Sequence, residues 1–431
     1  MRSSRAIAAA AIALSAVTGL AACGTSGSSS GGASSANGNK VTLTFWNNAT
    51  TGDLVTVWKN TIASFEKAHP NVTIQNVPIQ NEQFPTKIPL ALESSNPPDI
   101  YQQWGGGAEA TQVKSGKLTD MTSFTSSWIS EIGQPATGWQ VDGKQYGLPF
   151  DLHVVGFWYR KDLFAKAGIS WPPTTIAELE SDDAKLKAKG IAPIAVGSKD
   201  RWPDAFWWEY FALRECSNAT LKQAMSSQDL SNACFKAASN DMTAFLKTNP
   251  FQTGYLGTPS QVGAGSSAGM VGSGKAAMEL QGDWEPGVID GLVSNGSQVN
   301  KELGWFPFPT VAGGQGDPKA VLGGGDGFSC TTSAAEPACE QFLQYLDTPA
   351  VQKNIMGANT GLPANPAAVS AISVPAERTA EAANSASDYI QLYFDEALPT
   401  QPGQNLDTAI ANFFAGQGSA SSIISSVQGP A

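Results

Sequence analysis

The chain has 431 residues, too many for one ordinary core, so two lobes or domains are expected. With 42% hydrophobic and only 15% charged residues, it reads as globular rather than disordered. Its net charge of −11, with no basic stripe, excludes nucleic acid as an expected partner.

In chain order, the first segment reads as targeting rather than fold. Arg2 and Arg5 precede an apolar run from Ala6 to Leu20, the pattern of a signal peptide. "LAAC" (Leu20–Cys23) followed by Gly24 resembles a bacterial lipobox, which makes residues 1–22 the expected signal peptide and Cys23 the expected lipidated N-terminus. Residues 23–39 are a Gly/Ser-rich tether without core-forming side chains. The folded part is therefore expected from Lys40, held outside the cytoplasm at the extracellular face of a bacterial cell membrane. No later apolar run is long enough to span a bilayer.

"KVTLTFWNN" (Lys40–Asn48) alternates as a strand, and Leu54, Val57, Trp58, Ile62 and Phe65 follow at helical spacing. "NVTIQNVPI" predicts a second strand, Gln83–Ser94 a short helix, and "PPDIYQQW" (Pro97–Trp104) a third strand. This order implies a parallel sheet, with ligands expected beyond the strands' carboxyl ends. A helix is expected over Lys161–Gly168, a Thr-capped one ending at Gly190, and a helix-rich region from Pro203 to about Leu246. "GKAAMELQGDW" reads as a strand ending in Gly282–Asp283–Trp284, and "LGWFPFPTVAGG" as a proline-rich connector. "VLGGGDGFSCTT" reads as one strand and "AAEPACEQFLQYL" as a helix. Further helical patterns fall near Glu381–Leu398 and Leu406–Phe414.

"FEKAHPNVTI", "PPDIYQQWGGG", "GLPFD…FWYRKDLFAKAGI", "GKAAMELQGDW" and "VLGGGDGFSC" occur in this order, behind a lipobox. Together they resemble the carbohydrate-binding extracellular solute-binding proteins of ABC importers, the maltose-binding-like family. Within it, actinobacterial lipoproteins for short oligosaccharides, including xylobiose-type binders, are the most similar. The resemblance implies an α/β, two-lobed periplasmic-binding-protein-like fold of type II. The hinge is then crossed three times, near Pro149–Asp151, Pro307–Thr310 and Gly361–Pro363. Residues 40–150 plus 310–360 would form one lobe and 151–309 plus 361–431 the other. It also implies an oligosaccharide between the lobes, membrane permease subunits as partners, a monomer, and no cofactor, metal or catalysis.

A pyranose has C–H faces that suit aromatic rings and rim hydroxyls that suit amides and carboxylates. Trp284 occupies a position where the family commonly supplies a stacking ring, with Asp283 beside it for hydroxyl contacts. Asn47 and Asn48 end the first strand, and Gln103 and Trp104 end the third. His153 matches a family position for a polar contact. Asp326 sits in "GGGDG", which lacks the spacing of a phosphate-binding loop. Glu82 and Gln83 are candidate rim contacts. In "RWPDAFWWEY" (Arg201–Tyr210), Phe206, Tyr210 and Leu213 share a core stripe of a helix opened by Pro203. Trp202, in the loop before it, is expected as a platform opposite Trp284.

Four cysteines remain after Cys23, and the sequence-local pairs Cys216–Cys234 and Cys330–Cys339 are favoured over a metal site, since no CxxC occurs. A secreted glycoside hydrolase or a polysaccharide-adhesion module are the rival functions. Neither a nucleophile elbow nor a paired acid and base at adjacent strand ends is apparent.

Overall fold

A computed structural model describes residues 40–359 and 361–428. The signal-like segment, Cys23 and the tether lie outside the described residues.

The first lobe is built on a five-stranded sheet. Val41–Asn47 is parallel to the edge strand Val72–Pro78 on one side and to the central strand Ile100–Gln103 on the other. Gly327–Cys330 then pairs antiparallel with Ile100–Gln103, and Gly147–Pro149 closes the far edge. Alternation in the first strand buries Leu43, Phe45 and Asn47 while the intervening residues are less covered. The helix Asp53–Ala68 lays Trp58, Ile62 and Phe65 on that face, where Phe45 meets Trp58 at 4.9 Å between ring centroids.

The second lobe has a four-stranded sheet in the order Leu303–Phe306, Gly156–Arg160, Ala276–Gln281, Ala192–Ala195. Against it packs the helix Trp202–Glu215, whose residues from Pro203 to Arg214 are all buried. Trp207 stacks on Phe245 at 5.0 Å, and Trp208 is fully buried with its indole N–H donating to Ser239 Oγ (2.9 Å). The crowded aromatic stretch is thus mostly core.

A third sheet joins the two. Its order is Leu362–Pro363, Asp151–Val154, Val321–Gly324, Ile390–Leu392. Leu362 pairs with Leu152 and Pro363 with Asp151, so two of the expected connectors run side by side.

Three expectations change. "LGWF" is a buried strand, not a connector: Leu303, Trp305 and Phe306 are inward, and Gly304 leaves room for the Tyr159 ring. "VLGGGDGFSC" is two strands in different sheets, broken at Gly325–Asp326, because a run of glycines lets the chain turn from one sheet to the other. Glu381–Leu398 is not one helix but the end of Pro375–Ser385, the strand Ile390–Leu392 and a single turn, Phe394–Ala397. Pairing with Val321–Gly324 overrides the helical pattern there. The disulfides Cys216–Cys234 and Cys330–Cys339 are both present.

Candidate ligand-binding cleft

Between the lobes lies a cleft of about 430 Å³. Of the residues singled out from sequence, Trp202, Trp284, Asn48, Trp104, His153, Asp326 and Glu82 line it. Trp202 is the first residue of its helix rather than a loop residue; Arg201 before it is left-handed (φ 71°) and turns the chain sharply into the cleft. The Trp202 and Trp284 rings do not oppose each other. They share one wall in edge-to-face contact, centroids 6.1 Å apart, leaving no slot between them for a sugar. Across the opening, Trp202 Nε1 donates to Glu82 Oε1 (3.4 Å).

At the floor, His153 is held on both sides. Its Nδ1 is 2.7 Å from Asp283 Oδ1, and its Nε2 is 3.2 Å from Asp151 Oδ1 and 3.8 Å from Asp326 Oδ2. Burial opposes a charged ring, but the Asp151 and Asp283 carboxylates outweigh it and hold the His153 pKa well above its usual value. Burial pushes Asp151 up to about 7 and also raises Asp283. Gly361 (φ 147°) passes so close that a Cβ there would lie 2.6 Å from His153 Cε1. Asp151, His153 and Asp326 each place a ligand atom within 4.8 Å of the others, spacing a metal ion could use. The contacts of His153 with Asp151 and Asp283 account for the ring's placement, so the arrangement does not require one.

Four sequence candidates do not reach the cleft. Asn47 is buried, donating to Asn76 Oδ1 (2.6 Å) and accepting from the Ala49 N–H (3.1 Å), so it shapes the turn. Asp283 is buried behind His153. Gln103 is buried and spent on Glu109, Ser329 and the Gly105 N–H. Gln83 is exposed at the end of the turn Asn81–Gln83 and faces away.

Sequence reasoning missed the segment Tyr393–Thr408, which supplies Tyr393, Asp395, Glu396, Gln404, Asn405 and Asp407. Its density of carboxylates and amides, "YFDEALPTQPGQNLD", was the available signal. Burial pushes Asp395 up to about 6 and raises Glu396 and Asp407 well above the usual carboxylate range. The buried Tyr393 hydroxyl and the Trp284 indole N–H have no hydrogen-bond partner among the described residues. The lining thus combines ring faces, amides and carboxylates with two uncommitted donors, the set a polyhydroxylated ligand requires.

Residues 48–353 match the family model of the bacterial extracellular solute-binding proteins. The chain belongs to that family. Against curated relatives, this solute-binding protein is 28% identical to an ABC transporter extracellular-binding protein of Pyrococcus horikoshii, over 58% of this chain and 57% of that protein. The match thus spans little more than half of that relative's length. A solved structure from work on xylan utilisation by the thermophilic bacterium Caldanaerobius polysaccharolyticus is 27% identical, with a TM-score of 0.81 over 90% of this chain and 99% of that one. A chitin oligosaccharide binding protein has the same fold, with a TM-score of 0.80 at 21% identity, over 91% and 98% of the two chains. The two-lobed α/β fold expected from the sequence is the fold of this solute-binding protein.

Proposed function

We propose that this solute-binding protein is the receptor of an ABC sugar importer, capturing a di- or oligosaccharide in the cleft and performing no catalysis itself. The observation that carries the reading is the wall formed by Trp202 and Trp284, facing amides and carboxylates of the opposite lobe. Such a wall offers dispersion and a negative ring face to sugar C–H groups, and the polar side exchanges hydrogen bonds with hydroxyls. Likeness to a protein of xylan utilisation makes xylobiose or a xylo-oligosaccharide the first ligand to try.

The lobes expected from the sequence are residues 40–150 plus 310–360 and 151–309 plus 361–431. Phe308 packs in the second lobe's core and Arg214 donates to Asp317 O and Ala320 O, so residues 310–320 go with the second lobe and the second crossing falls at Val321–Asp326. Lobe closure over the sugar would present the surface that permease subunits read. The lipobox-like "LAAC" supports a monomer tethered by a lipid on Cys23 at the extracellular face of the cell membrane. Calorimetry with xylo-, cello-, malto- and chito-oligosaccharides tests the function: micromolar or tighter binding of one series is expected. Binding of none, or release of hydrolysis products, would overturn it.

A further inference from the structure

One end of the cleft is unlike the rest. Asp395, Glu396 and Asp407 converge there, and the same three carboxylates also line a small side cavity of about 60 Å³. That space holds roughly four water-sized groups. Glu209, fully buried, lies beneath with its Oε1 accepting from the Phe394 N–H (3.0 Å) and its Oε2 unpartnered.

Among the described residues no ion pair reaches any of the four carboxylates. Arg201 acts on Asp407 in the opposing sense, but its guanidinium donates to Thr408 Oγ1 (3.3 Å). Asp407 Oδ1 is buried and has no hydrogen-bond partner. Burial first, and then the neighbouring carboxylates, raise the pKa values of Glu209, Glu396 and Asp407, so a bound cation would relieve the cost of ionising them.

Two further observations identify what fits. Phe84, Tyr101 and Trp104 are among the other residues lining the side cavity, with the Phe84 and Trp104 rings edge-to-face at 5.6 Å. Rings beside carboxylates attract a compact cation through their negative faces. Gln102 also lines this cavity, is only 2% exposed, and leaves its Nε2 without an acceptor. The missing group therefore brings a positive charge with several donors and a neighbouring acceptor oxygen. A protonated amine adjacent to a hydroxyl has that composition, whereas a hydroxyl alone supplies one donor and no charge.

We propose that this solute-binding protein selects a saccharide carrying a protonated primary amine, whose ammonium is held by Asp395, Glu396 and Asp407 at the mouth of the side cavity. The inference rests on the reading of the cleft as a saccharide site and names the ligand's class within it. Gln102 takes the adjacent oxygen, and the Trp202–Trp284 wall carries the next ring.

The test is a matched set of disaccharides on the full chain by calorimetry at neutral pH. Cellobiose, the β-1,4 glucosamine dimer and its N-acetylated form differ only at the 2-substituent: hydroxyl, ammonium or neutral amide. Xylobiose is the fourth, neutral member. The amine is expected to bind about tenfold or more tightly than cellobiose. That preference should shrink to near unity in Asp407→Asn and Asp395→Asn, whose folding is checked by thermal melting. If a neutral sugar binds as tightly as the amine, the ammonium site is overturned while the sugar receptor stands. An unchanged amine preference in folded variants would also overturn it. If none of the four binds, this inference falls, while the receptor reading stands or falls on the wider oligosaccharide panel.

Discussion

Trp202 and Trp207 are five positions apart and separate two roles of an indole. Trp207 is buried among Phe157, Phe245 and Phe251, whereas Trp202 opens onto the cleft. Trp207→Ala should cost about 3–5 kcal/mol of stability, as a large core deletion does. Trp202→Ala and Trp284→Ala should instead lose about 2 kcal/mol of sugar binding, roughly thirtyfold in Kd. Paired melts and calorimetry check this; a Trp202→Ala protein that melts as early as Trp207→Ala yet binds normally would return that ring to the core. Sequence placed the ends of the first and third strands to within one residue but ran the strand Ala276–Gln281 on to Trp284, and it did not say which neighbour faces the ligand. In the pairs Asn47–Asn48, Gln103–Trp104 and Asp283–Trp284, the first member is buried and the second lines the cleft. Alternation along a strand turns one of each pair away at the first and third strand ends, whereas Asp283 and Trp284 lie past theirs, in the turn before helix Glu285–Leu292. The acids of Tyr393–Thr408 were harder to read, since only the fold brings that distant segment to the cleft.

At the scale of elements, strands and helices with a clear period were legible, and those made by long-range pairing were not. "LGWF" reads as a connector because prolines follow it, yet its partner Gly156–Arg160 makes it a sheet edge. Ile390–Leu392 exists only through Val321–Gly324. The Cys216–Cys234 bridge, with a sequence separation of 18, ties the end of helix Trp202–Glu215 to the start of Ala233–Leu246. Closing a loop of that length stabilises by about 3 kcal/mol on the chain-entropy account. Replacing both cysteines by serine should lower the denaturation midpoint by that equivalent while sugar affinity holds, since neither cysteine lines the cleft. A large loss of affinity at full folding would show that this bridge shapes the site.

For the molecule as a whole, the pKa pattern predicts an unusual dependence on pH. Burial pushes Asp151 up to about 7 and Glu109, Asp183, Asp204 and Glu279 up to about 8. His153 is raised as well, by Asp151 and Asp283 against its burial. Each of these groups binds its proton more tightly when folded, so its stabilising contribution is complete below the unfolded pKa. The contribution is lost as pH rises through the folded value. For the carboxyls that window runs from about 4 to about 8. Thermal midpoints should therefore climb by several degrees from pH 8.5 to pH 5.5; a flat or opposite trend would show that these acids ionise freely in the fold. Scattering should show a more compact particle with sugar than without if the lobes close. The distribution of tryptophans has an optical consequence. Trp58, Trp158, Trp207 and Trp208 are sealed in the cores, while Trp104, Trp202 and Trp284 border the cleft. The first group emits a background shielded from ligand, and single substitutions of Trp104, Trp202 and Trp284 test whether a sugar-induced shift in intrinsic emission arises at the cleft. The protein carries its own spectroscopic probe at the place where binding happens.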